Sequence, residues 1–150
     1  MLTSEIKNYI DKSVLCWLAT ADKDNMPNVS PKEIFTFYKD NYIIIANIAS
    51  PQSVVNIVQN PNVCVSFIDV FVQKGFQIKG KASIIKKSDV EFEELERPLI
   101  EMTKGKYPFS TVIKIKLEKI KKIIAPSYIV FPETTEKEQI ENAKKLYNSK

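Results

Sequence analysis

Between Phe76 and Ile84 the chain alternates strictly: Phe76, Ile78, Gly80, Ala82 and Ile84 share one side of a strand, and Gln77, Lys79, Lys81 and Ser83 share the other. A period of two marks an extended strand with one face buried and one face in water. The pattern returns at Thr111–Leu117, where Ile113, Ile115 and Leu117 oppose Lys114, Lys116 and the following Glu118. Such strands cannot bury their apolar faces alone, so the chain must assemble a sheet over a core.

The remaining segments fill in around these strands. Ser4 is placed to cap a short helix through Ile6, Tyr9 and Ile10. Ser13–Thr20 reads as a strand apolar on both faces, followed by a polar turn from Ala21 to Pro27. Asn28–Tyr38 is the next strand, and Lys39-Asp40-Asn41 turns it tightly into Tyr42–Asn47. A helix from Ser50-Pro51 to about Gln59 stops before Asn60-Pro61. Strands Val63–Asp69 and Gly75–Ile85 come next. A helix at Ser88–Thr103 carries Phe92, Leu95, Leu99 and Met102 on one side and contains Pro98. Residues 134–150 read as a charged helix or tail with Ile140, Leu146 and Tyr147 as its few anchors. Six strands with interspersed helices and several short turns predict a mainly β, mostly antiparallel barrel with peripheral helices. The whole of 1–150 is expected to form one domain.

Composition narrows the chemistry. The chain has no histidine, which removes the commonest general base and the usual zinc ligand, so no metal site is expected. Its net charge is +4, carried almost wholly by lysine. Arg97 is the only arginine, which argues against a nucleic-acid partner. No apolar run reaches the ~20 residues that cross a bilayer, and Met1–Asp11 lacks a signal pattern, so a cytoplasmic protein without a membrane partner is expected. Cys16 and Cys64 lie in apolar segments and read as buried thiols.

The segment Ile43–Pro61, IIIANIASPQSVVNIVQNP, places a buried strand directly before a capped helix. The first helical amides, near Gln52 and Ser53, lack intrahelical partners, and the helix dipole adds partial positive charge there. Such an end favours an anion such as a phosphate, with Ser50, Ser53, Gln52 and Asn56 as side-chain donors. The same pattern also describes a well-capped helix and nothing more.

Taken in order, the segments VLCWLAT, Met26-Pro27, NVSPKEIFTFY, KDN, YIIIAN, SPQSVVNIVQNP, VCVSFID and KGFQIKGKASII resemble the FMN-binding split β-barrels of the pyridoxamine 5'-phosphate oxidase family. The resemblance runs from about Val14 to Ile85 and implies a six-stranded antiparallel split barrel that binds FMN. Ser50, Gln52 and Ser53, supported by Asn56, would hold the flavin phosphate. Ala46, Asn47, Ile48 and Ala49 would lie along the ribityl chain and the ring edge. Ser30, Pro31, Lys32 and Glu33 would pass close to the ring, and Gln77 and Lys79 would approach from a neighbouring strand or across a dimer interface. The resemblance also implies a homodimer with flavin sites between its subunits, serving a small-molecule substrate or electron donor.

Two departures stand out. Gln52 occupies a position where many relatives carry Lys or Arg, leaving Lys32, Lys79 or Lys81 to neutralise the phosphate. The arginine-rich C-terminal segment that holds substrate in true pyridoxamine phosphate oxidases is missing, so vitamin B6 oxidation is not expected. The leading expectation is a flavin-dependent oxidoreductase in which the cofactor carries the electron or hydride transfer. A non-catalytic carrier of FMN, F420 or haem is the alternative, and a lysine-faced nucleic-acid module a distant third. Trp17 is expected in the core; Phe71, Phe76, Tyr107 and Phe109 either fill the barrel and dimer seam or cover the ring.

Overall fold

The structure, a computed structural model, describes residues 1–149. Its elements in chain order are α1 (Ser4–Lys12), β1 (Cys16–Ala21), β2 (Pro27–Lys32), β3 (Phe35–Tyr38), β4 (Tyr42–Ala46), α2 (Pro51–Gln59), β5 (Asn62–Asp69), β6 (Lys74–Lys86), α3 (Phe92–Thr103), β7 (Thr111–Ile124), α4 (Ser127–Val130) and α5 (Glu136–Asn148). All strand pairs are antiparallel, in the order β2-β1-β5-β6-β7-β4-β3.

The mainly β architecture is as expected, but there are seven strands rather than six. The single strand expected over Asn28–Tyr38 breaks at Glu33-Ile34 into β2, paired with β1, and β3, paired with β4. These two are the opposite edges of the sheet. Six inter-strand steps would separate them by about 29 Å in a flat sheet, yet the chain from Lys32 to Phe35 reaches only about 10 Å. The sheet therefore curls until its edges come together, and the Ala46 amide donates to the Ile34 carbonyl at 3.0 Å, carrying the β3–β4 ladder up to the connection.

The core follows from the alternation. Leu18, Val65, Phe67, Ile78, Ile113 and Ile115 point inward beneath α1, whose Ile6, Tyr9 and Ile10 close that side. A second cluster of Ile44, Ile85 and Val112 lies under Phe92, Leu95 and Leu99 of α3. Pro98 sits inside α3 without interrupting it.

Several local expectations are corrected. Thr3, not Ser4, caps α1, its hydroxyl accepting from the Ile6 amide at 3.3 Å. β1 begins at Cys16 and buries one face only, leaving Trp17 49% exposed outside the core. Met102 is exposed, and Thr103 takes its place on the buried side of α3. β7 runs on to Ile124, seven residues past Leu117. A bulge at Glu118, opposite Lys79/Gly80, shifts the inward row from Leu117 to Ile120 and breaks the period-two signal.

The C-terminal helix is present as α5, opened by a Thr135/Glu138 capping box. Its buried residues are Gln139 and Ala143, whereas Leu146 and Tyr147 are largely exposed. Tyr147 still tethers the helix, donating to the Val70 carbonyl at 3.2 Å and packing against Phe71. Phe76 is in the core. Lys150 lies outside the described residues. No helix among the described residues is long and apolar enough to cross a membrane.

Candidate functional site

In β2 the usual polarity is inverted. Asn28, Ser30 and Lys32 point inward, opposite Thr20, Leu18 and Cys16 of β1, while apolar Val29 and Pro31 point out. A strand that turns polar groups inward breaks the rule that shapes the rest of the sheet, and such breaks collect at functional sites.

Lys32 is the extreme case. It is only 5% exposed, and among the described residues no carboxylate lies within ion-pair distance of its ammonium. Its Nζ donates to Ser50 Oγ, just before α2. Burial pushes the Lys32 pKa below the ordinary lysine value. The cation is therefore desolvated, and one neutral hydroxyl does not replace the charge a counter-ion would bring.

Ser50 was expected to cap α2 but makes no capping bond; its hydroxyl is engaged by Lys32 instead. The turn into the helix passes through Ala49 with φ 50°, a left-handed conformation costly for a residue with a Cβ. The first-turn amides of α2 are thus left without a side-chain cap, close to the buried ammonium. The other polar residues of this end fasten the helix to the sheet. Ser30 and Ser53 hydroxyls pair at 3.2 Å, Gln52 Nε2 donates to Asn56 Oδ1 at 2.7 Å, and Asn56 Nδ2 donates to Thr20 Oγ1 at 3.0 Å.

Beside this end opens a cleft of about 260 Å³ with aliphatic walls from Pro31, Ile34, Ala46 and Ile48. Lys32 and Glu33 supply its charged groups, and Tyr107, from the α3–β7 loop, completes the wall. Between Ala46 and Ile48, Asn47 donates through Nδ2 to Thr111 Oγ1 at 2.9 Å, but its buried Oδ1 accepts from no donor among the described residues. The arrangement suits a ligand with an anionic end and an apolar body.

Most of the residues singled out from the sequence converge here. Pro31, Lys32, Glu33, Ala46 and Ile48 line the cleft, Ser50 contacts Lys32, and Ala49 forms the turn. Ser30, Ser53, Gln52 and Asn56 form the bonded layer behind it. Gln77, Lys79 and Lys81 do not line it. Gln77 lies opposite Ser66 and Lys121, Lys79 lines a separate groove with Ala19, Cys64 and Lys119, and Lys81 faces Asn62 and Lys116. Ile34, Thr20 and Thr111 were not foreseen; Ile34 joins the wall only because the strand breaks there, which no local pattern announces.

Cys16 sits behind Lys32. Burial pushes its thiol up to about 12, with the nearby lysine charge opposing the rise. Cys64 is half-buried, its thiol also raised by burial, and both cysteines are free. At pH 8 the Cys16 thiolate is about one part in ten thousand. A thiol-reactive dye should therefore label no more than one cysteine in the folded protein and two in denaturant.

The family model described as pyridoxamine 5'-phosphate oxidase matches residues 2–124. Among solved structures, HupZ from Group A Streptococcus is 26% identical with a TM-score of 0.69, covering 80% of this chain and 92% of that chain. An FMN-binding protein from Syntrophomonas wolfei subsp. wolfei is 16% identical with a TM-score of 0.66, covering 78% of this chain and 82% of its own. HutZ, the heme storage protein from Vibrio cholerae, is 18% identical with a TM-score of 0.66, covering 81% and 94%. The latter two share the fold. No curated protein matches the chain.

Proposed function

Because the chain belongs to the pyridoxamine 5'-phosphate oxidase family over residues 2–124, we propose that it binds FMN in the cleft beside β2 and acts as a flavin-dependent oxidoreductase on a small substrate. The observation that carries this reading is Lys32, an ammonium that is buried and, among the described residues, without a carboxylate partner at the uncapped start of α2. A phosphate there gains the counter-charge and the helix amides together. Lys32 thus takes over the charge that Gln52 does not supply. Glu33 stands at the cleft as an acceptor. FMN, when bound, supplies the hydride or electron transfer. The chain's residues hold its anionic end, exclude water along the aliphatic walls and fix its orientation.

The reading includes a homodimer in the cytoplasm, with the chain as one domain per subunit. The cleft, at about 260 Å³, falls below the ~300 Å³ lower end of typical ligand sites, which supports a site completed by a second subunit. An apolar groove of about 280 Å³ on the outer face, lined by Val14, Trp17, Val70 and Ile123 among others, offers a surface for that contact. Gln77 and Lys79 then belong to the completed site only if the partner brings them.

The test is the absorption spectrum of the purified protein, then titration with FMN and addition of NAD(P)H. Visible flavin bands or micromolar affinity, followed by bleaching on addition of NAD(P)H, support the oxidoreductase. Binding without reduction by any donor favours the carrier reading, and absence of FMN binding contradicts both flavin readings and leaves only a carrier of F420 or haem, tested by titration with each.

A further inference from the structure

Tyr107 is the aromatic wall of the cleft, and packing does not account for its position. The ring is 58% exposed, and the residues lining the cleft with it are aliphatic or charged. The chain on either side of it is fixed. Upstream, α3 ends in left-handed Lys104 and Gly105, with φ 50° and 71°, and the Gly105 amide donates to the Ile100 carbonyl at 3.3 Å and to Thr103 Oγ1 at 3.2 Å. Downstream, Pro108 restricts the backbone of residue 107, and Phe109 packs into the cluster beneath α3. The hydroxyl of Tyr107 makes no hydrogen bond among the described residues.

A large ring held in water at the mouth of a cleft, between two anchored neighbours, is organised in advance for a ligand face rather than for the core. We propose that Tyr107 stacks on a planar ring bound in the cleft, while Lys32 and the start of α2 hold the anionic end of the same molecule. This inference rests on the FMN reading and adds to it the residue that binds the ring.

The experiment measures FMN affinity and the emission of the bound flavin in wild type, Tyr107→Trp and Tyr107→Leu. Electron-rich rings quench a flavin stacked on them, whereas leucine does not. The substituted side chain is exposed, so the variants fold. Tyr107→Trp is expected to bind within about threefold of wild type and stay quenched, and Tyr107→Leu to bind about tenfold more weakly and brighten at saturation. Equal affinity in Tyr107→Leu, or bound flavin that stays quenched in it, overturns the inference while leaving FMN binding intact. Wild-type protein that binds no FMN overturns the FMN reading itself.

Discussion

Replacing Lys32 with methionine should raise the melting temperature of the ligand-free protein and weaken FMN binding, two effects of opposite sign from one substitution. The ammonium is buried without a counter-ion among the described residues, and methionine fills similar space without charge. The expected gain is about 1–2 kcal/mol, or about 2–8 °C for a chain of this size. Loss of a charge-assisted contact to phosphate should weaken FMN by about ten- to a hundredfold. A purely structural lysine would show no such trade between stability and binding.

The pH dependence follows from the direction of the Lys32 shift. Its pKa in the fold lies below the ordinary value of 10.5, so between the two values the unfolded chain binds more protons. The Lys32 contribution to the stability of the ligand-free protein therefore rises with pH in that window while the raised Cys16 thiol acts in the opposite direction, so the Lys32 effect is read as a shrinking advantage of Lys32→Met over wild type. Below the folded value the full burial penalty applies. FMN affinity moves the other way, falling with pH as the ammonium that pairs with phosphate is lost. Melting curves of both proteins at neutral pH and at about pH 10 test the first trend, and FMN titrations at the same pH values test the second.

Gly80→Ala should be strongly damaging to the sheet, as should Gly75→Ala. A Cβ at Gly80 would lie 2.1 Å from the Lys116 carbonyl oxygen, and one at Gly75 would lie 2.0 Å from the Phe67 oxygen. Both obstacles are backbone inside central strand pairs, so relief requires parting the ladder. Gly80 also sits at the register shift against the bulge that resets the phase of β7. A loss of about 3–4 kcal/mol is expected, read as a lower denaturant midpoint with unchanged slope. The neighbouring Lys81→Ala, exposed and outward, should stay within about 0.5 kcal/mol.

Much of this was legible because local pattern and tertiary need agree. The alternation of β6, the Lys39–Asn41 hairpin and the Ser50-Pro51 helix start each carry a local signal, and each is present. The convergence of Pro31, Lys32, Ala46, Ile48 and Ser50 was foreseen through the family resemblance. What escaped has tertiary causes. The β2/β3 break exists because opposite sheet edges need a single connection, and nothing in Lys32-Glu33-Ile34 marks it. The second half of β7 was lost because one bulged residue inverts its alternation. Trp17 looked like core because its strand seemed apolar on both faces, yet only Cys16, Leu18 and Thr20 are inward. Lys32 was named as a candidate, but its burial was not legible: the whole inward row of β2 is polar and mimics a solvent face.

The most direct test of the anion site is a calorimetric comparison of FMN with riboflavin, which lacks only the phosphate, on wild type and Lys32→Met. Wild type should prefer FMN by about tenfold or more, and in Lys32→Met most of that preference should vanish while riboflavin affinity changes little. Equal affinity of wild type for the two flavins, or a preference that survives in Lys32→Met, would contradict a phosphate held by Lys32 at the start of α2.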